Sequence, residues 1–149
     1  MRKPQKTIDS TNRRASFEFF FLEEFSAGMA LTGTEIKSIR QGKFNMSDSY
    51  CLFNNNELLV RNLHISPYEK STYYNHDPLR DRKLLLKRRE LKRLVLKLND
   101  QGLTIVPTRL FINERGLAKL EIALAKGKKL YDKRETIKDR DLQRERDDD

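Results

Sequence analysis

From Leu117 to Leu124 the chain reads Leu-Ala-Lys-Leu-Glu-Ile-Ala-Leu, with Ala118, Leu120, Ile122 and Leu124 on every second position. A period of two belongs to the strand, because successive side chains leave it on opposite faces. A segment of this kind has one dry face, which must meet the dry face of other strands. The partners are legible. Leu103-Thr104-Ile105-Val106 continues past Pro107 into Arg109-Leu110-Phe111-Ile112, and Asn113-Glu114-Arg115-Gly116 turns it into the alternating run. Ser49 to Phe53 and Leu58 to Ile65 read as two more strands. They are joined by Asn54-Asn55-Asn56, residues that tolerate positive φ in a tight turn. An aromatic stretch opens at Phe17 and runs to Leu31, with Ala27-Gly28 as the expected bend or bulge.

Two helices interrupt the strands. Thr32 to Arg40 is short, with Thr32 or Thr34 as N-cap and Gly42 beyond its end. The second is expected to open at Asp77-Pro78 and is clearest from Lys87 to Leu98. Its Leu91, Leu94, Val95 and Leu98 share a face, and Gly102 stops it. Five or six antiparallel strands with a helix between consecutive ones predict a mainly β protein. The form expected is a small closed antiparallel barrel with flanking helices packed on it and a C-terminal tail that is disordered when free.

The 149 residues fit one domain. No apolar run approaches the roughly 18 residues that a membrane span requires. Residues 1–16 lack the apolar stretch of a secretory signal, which makes a cytoplasmic location the expectation. Cys51 is the single cysteine and sits in a strand-like run, so it reads as a buried thiol. His64 and His76 have no Cys or carboxylate at metal-ligand spacing, and Ser47-Asp48-Ser49 has no histidine nearby in sequence. The glycines form no phosphate-cradling loop. The expectation is no enzyme, no metal and no cofactor.

Charge is the informative feature. There are 31 Lys+Arg against 22 Asp+Glu, a net +9, which points to a polyanion as partner. Lys37, Arg40 and Lys43 lie around the first helix, and Arg82, Lys83 and Lys87 near the second. From Arg80 to Lys97 nine cations face only Asp81 and Glu90. Like charges at this spacing repel unless a polyanion neutralises them. A second basic run follows the last strand: Lys126, Gly127, Lys128, Lys129, Tyr131, Asp132, Lys133 and Arg134 interleave cations with one glycine and one aromatic. Cations hold phosphates and a tyrosine can stack on a base. The chain then turns acidic, ending in Asp147-Asp148-Asp149.

Five blocks together resemble the SsrA-binding protein (SmpB) family. They are Asn12-Arg13-Arg14-Ala15, the run from Gly33 to Lys43, Ser47-Asp48-Ser49-Tyr50, the run Arg82 to Leu86 with Arg89-Glu90-Leu91, and Ala125 to Lys129 with Asp132-Lys133-Arg134. The resemblance implies a barrel of the oligonucleotide-binding type that binds the tRNA-like end of transfer-messenger RNA. It also implies delivery of that RNA, with elongation factor Tu, to ribosomes stalled on messages without a stop codon. It adds Asn12, Arg13, Arg14, Ser26, Glu35 and Leu85 to the cations above as RNA-binding residues of the barrel. Many members carry glutamate at the position of Ser26, and asparagine or histidine at that of Lys87. The tail is implied to enter the decoding centre and the empty message channel and to become helical there. The division expected is a basic flexible arm over residues 1–12, a barrel over 13–125 and a charged tail over 126–149. A general structured-RNA or ribosomal binding protein is the alternative.

Overall fold

The computed structural model describes residues 8–71, 74–99 and 102–128. Its strands are β1 (Asp9–Thr11), β2 (Phe19–Met29), β3 (Phe44–Asn45), β4 (Tyr50–Asn54), β5 (Glu57–Arg61), β6 (His64–Ile65), β7 (Arg82–Leu85), β8 (Leu103–Ile112) and β9 (Ala118–Gly127). Three helices accompany them: α1 (Arg13–Glu18), α2 (Gly33–Arg40) and α3 (Arg88–Leu98). All pairings are antiparallel. β8 pairs with β9, β9 with β2, β2 with β7, β7 with β5, β5 with β4, and β4 returns to β8 through Cys51 and Ile105. Six strands therefore close on themselves, which removes the free edges an open sheet would present. β1 adds to β8, and β3 pairs with β6 apart from the ring.

The turns follow the expected chemistry. Asn55 and Asn56 take φ of 51° and 65°, which closes the β4–β5 hairpin on two residues with the mirror-image turn that strand twist favours. Asn113 accepts from the backbone N–H groups of Arg115 and Leu117, and Gly116 supplies the positive φ of 79°. The core holds Ala27, Ile39, Leu58, Val60, Leu84, Leu94, Ile105, Leu110, Leu120 and Ile122, each almost wholly buried. Ile39 comes from α2 and Leu94 from α3, and these helices sit at opposite ends of β8. α3 leads into its start. In the turn beyond its far end, the Arg40 guanidinium of α2 lies 3.8 Å from where a Cβ on Gly116 would stand. Ten strand residues separate the two ends by roughly 33 Å.

Five expectations are corrected. The aromatic strand starts at Phe19, because Asn12 caps a six-residue helix that takes up Phe17; so short a helix shows no apolar period. The bulge of β2 falls between Phe21 and Glu23, and Gly28 pairs regularly with Leu85 and Lys119. Asp77-Pro78 opens a turn, with Asp77 accepting from Leu79 and Arg80, while Arg82–Leu85 forms a strand whose side chains alternate in, out, in, out. The basic arm contains β1, so residues 9–11 belong to the sheet. β9 runs through Gly127, paired with Phe19, so Lys126 and Gly127 lie in the barrel and not in the tail.

Asn12 ties these pieces together. Its buried amide donates to Met46 O (3.2 Å) and Pro107 O (2.9 Å), and its Oδ1 accepts from Ala15 N (3.1 Å). Asn12→Ala removes a cap and strands two buried carbonyls. It is expected to cost about 2–3 kcal/mol in urea unfolding. Asn12→Asp, which keeps the cap but sets a buried carboxylate oxygen against the two carbonyls, should cost at least as much.

Candidate nucleic-acid interface

The strongest electrostatic feature is internal. Thr32 caps α2, and Glu35, three residues on, reaches back to accept from the Thr32 N–H at 2.9 Å. The same carboxylate receives Arg80 Nη2 and Arg82 Nε, each at 2.5 Å. Arg82 is fully buried and also donates to the carbonyls of Leu63, Asp77 and Pro78. This cluster binds α2, β7 and the segment before β7 into one unit. Burial pushes the Glu35 carboxyl up, but the hydrogen bonds from Arg80, Thr32 and Arg82 and the Arg82 charge more than reverse it, to about 2. A carboxyl with a lowered folded pKa stabilises fully above its ordinary value of 4.5 and loses that contribution as pH falls to about 2. Acid unfolding is therefore expected to gain a step in that window, measurable by circular dichroism against pH.

Glu35, Arg82 and Asn12 thus do not face a ligand as expected. All three are buried, and each holds up the surface from beneath. The other expected residues form three groups. Ser26, Lys83, Leu85 and Lys87 are exposed along the β2–β7 seam. There Ser26 stands opposite Glu121, and Gly28 opposite both Leu85 and Lys119. Lys83 reaches Glu57 at 3.2 Å. Lys37 and Arg40 are exposed on α2, and Lys43 follows it, paired with Glu69 at 2.7 Å. Tyr68 joins this group, its ring 5.4 Å from Lys37 Nζ, and His76 pins the loop by bonding Thr34 Oγ1 and Ile65 O at 2.8 Å each. Arg13 and Arg14 lie apart from the seam, lining a cleft of about 260 Å³ with residues 44–47. Arg14 is bridged to Glu18 and Asp48.

Charge on α3 matches the reading of its sequence. Arg93 pairs with Glu23 at 2.6 Å, while Arg88, Arg89, Lys92 and Lys97 have no carboxylate partner among the described residues. Lys128 is described, donating to Ser16 O at 3.1 Å. Lys129, Tyr131, Asp132, Lys133 and Arg134 lie outside the described residues. Lys119 and Tyr68 were not singled out by sequence. Alternation marks Lys119 only as outward-facing, and the packing of Tyr68 on α2 is a tertiary fact. Burial pushes the Cys51 thiol up, away from the reactive thiolate. No helix among the described residues is long and apolar enough to cross a membrane.

A closed antiparallel ring, with helices packed on it that carry unneutralised cations, defines the class of small oligonucleotide-binding barrels. Within that class the chain belongs to the SmpB protein family, whose model matches residues 9–149. The SsrA-binding protein of Cytophaga hutchinsonii is 58% identical over 140 residues, covering 94% of this chain and 92% of that one. The SsrA-binding protein of Christiangramia forsetii is 57% identical, covering 94% and 89%. A solved chain from a study of tmRNA-SmpB on its journey to the centre of the bacterial ribosome superimposes with a TM-score of 0.69. It is 49% identical and covers 81% of this chain and 85% of that one.

Proposed function

We propose that this protein binds the tRNA-like domain of transfer-messenger RNA (SsrA) and delivers it to stalled ribosomes for trans-translation. The observation that carries the reading is the match of the family model over residues 9–149 to a chain whose outer surface groups cations on α2, α3 and the β2–β7 seam. Lys37, Arg40 and Lys87 hold phosphates, Lys43 and Lys83 join them once RNA competes for their bridges to Glu69 and Glu57, and Ser26 and Leu85 meet the RNA between them. Glu35, Arg82 and Asn12 are positioning residues under that surface. Arg13 and Arg14 hold a separate phosphate beside their cleft.

The segment from Lys128 to Arg134 goes to the decoding centre and the empty message channel. There its cations meet small-subunit rRNA and Tyr131 stacks on a base. Elongation factor Tu reaches the complex through the charged RNA. The protein contributes binding and no catalysis, and it works in the cytoplasm. The test is a cell-free reaction with ribosomes stalled on a message lacking a stop codon. Peptide transfer to alanyl transfer-messenger RNA is expected only when the protein is present. Transfer at the same rate without it contradicts the proposal.

Replacing Lys37 and Arg40 together by alanine should weaken RNA binding and lower the slope of log affinity against log salt by about two units, one for each phosphate left to its counterions. Filter binding over a salt series measures both.

A further inference from the structure

Three large apolar side chains stand exposed within six residues: Phe17 is 79% exposed, Phe20 46% and Leu22 55%. Their neighbours Phe19 and Phe21 are spent on a small cluster with Ala15, Val106 and Ala125. Folding gives Phe17 almost nothing, since a ring left in water gains no transfer free energy. Phe20 stands opposite Lys126 in the β2–β9 register. Lys128 Nζ lies 4.9 Å from the Phe20 ring centroid while donating to Ser16 O. Arg13, at the head of the same helix as Phe17, is exposed, and Glu18 is engaged by Arg14. The Phe20 ring thus lies under Lys128 and across the strand pair from Lys126, and Lys128 links it to Ser16 beside Phe17, at the end of β9.

We infer that Phe17 and Phe20 form a stacking platform for unpaired bases of RNA at the root of the tail. The inference rests on the RNA-binding reading above and adds a site to it. Flat rings bordered by a cation suit bases, which stack on any aromatic face while their phosphates pair with the flanking Lys128. The cation on the Phe20 ring marks that face as attractive and accessible. An incoming base takes its place, and Lys128 turns to the phosphate that arrives with it. RNA brings flat bases for the rings and a phosphate for the lysine in one repeating unit, which makes it the occupant the charge and the rings favour together.

The chain has no tryptophan, so Phe20→Trp gives a single fluorescent reporter that can still stack. In the full chain, a short single-stranded oligoadenylate is expected to quench that emission, and inorganic polyphosphate, which has charge and no bases, is not. Phe17→Ala with Phe20→Ala should bind oligoadenylate about tenfold more weakly, in keeping with stacking losses, with polyphosphate binding and thermal stability unchanged. Titrations with transfer-messenger RNA and with isolated small-subunit rRNA then show which one supplies the bases, by which affinity falls. Equal affinity of wild type and double variant for oligoadenylate, or quenching by polyphosphate alone, overturns the platform. Failure of the wild type to bind transfer-messenger RNA would strike the functional reading instead, and is scored separately.

Discussion

A chain cut after Lys128 is expected to bind transfer-messenger RNA as the full chain does and to support no peptide transfer on stalled ribosomes. The cut spares β9, which pairs with β2 as far as Gly127, and spares the Lys128 hydrogen bond to Ser16. It also leaves Lys37, Arg40, Lys83 and Lys87 in place. Fixed cations bind without first being ordered, so affinity belongs to the barrel. A cut after Ala125, the boundary expected from sequence, would remove Lys126 and Gly127, two paired residues of β9, and confuse a folding defect with a functional one. Within the tail, Tyr131→Ala removes one stack and should cost about 1–3 kcal/mol of ribosome-dependent activity, while Tyr131→Phe keeps the ring and should be nearly silent. Aspartates gain nothing beside phosphates, so alanines at 147–149 should also be silent. Single-round transfer with each variant decides these cases. Undiminished transfer by the chain cut after Lys128 would refute the role given to the tail.

Glu35→Gln is expected to be the most destabilising single change in the barrel. It leaves Arg82 buried and charged, with Arg80 beside it and no carboxylate between them. Breaking a buried pair from one side costs about 3–5 kcal/mol, a large share of a domain's stability. The variant should also lose the acid step between pH 4.5 and 2 that the native carboxyl introduces. Its RNA affinity should drop only in proportion to the unfolded fraction and recover as temperature is lowered. Urea unfolding at neutral and acid pH, with RNA titration at two temperatures, separates a positioning role from a direct contact.

The same cluster explains where sequence reading stopped. β8 and β9 were legible because alternation, an Asn/Gly turn and a long uninterrupted run all agree. β7 was not: Arg82-Lys83-Leu84-Leu85 abuts a helix and looks like its first turn. It is a strand because Arg82 points inward, and a buried arginine becomes intelligible only once Glu35, some 47 positions away, is seen beside it. Charge arithmetic for this reason overcounts the surface. Arg82 is spent inside, Arg80 is held by Glu35, Arg109 is held between Asp9 and Glu121, and Arg61 is held by Asp81. The cations of α3 and α2 were legible as a set, since an unbalanced helix face needs no tertiary information. Which of them adjoin Ser26 and Leu85, and that Arg13 and Arg14 stand apart, follows from the β2–β7 and β2–β9 register.

The central claim is recognition of one RNA in particular, and charge alone would bind any. The direct measurement is a competition gel shift at one physiological salt concentration. Labelled transfer-messenger RNA is bound to the full chain and challenged with unlabelled transfer-messenger RNA or with ordinary elongator tRNA. Displacement by transfer-messenger RNA at a concentration at least tenfold lower than tRNA requires is the predicted result. Equal displacement by the two would contradict the account and leave a general structured-RNA binder.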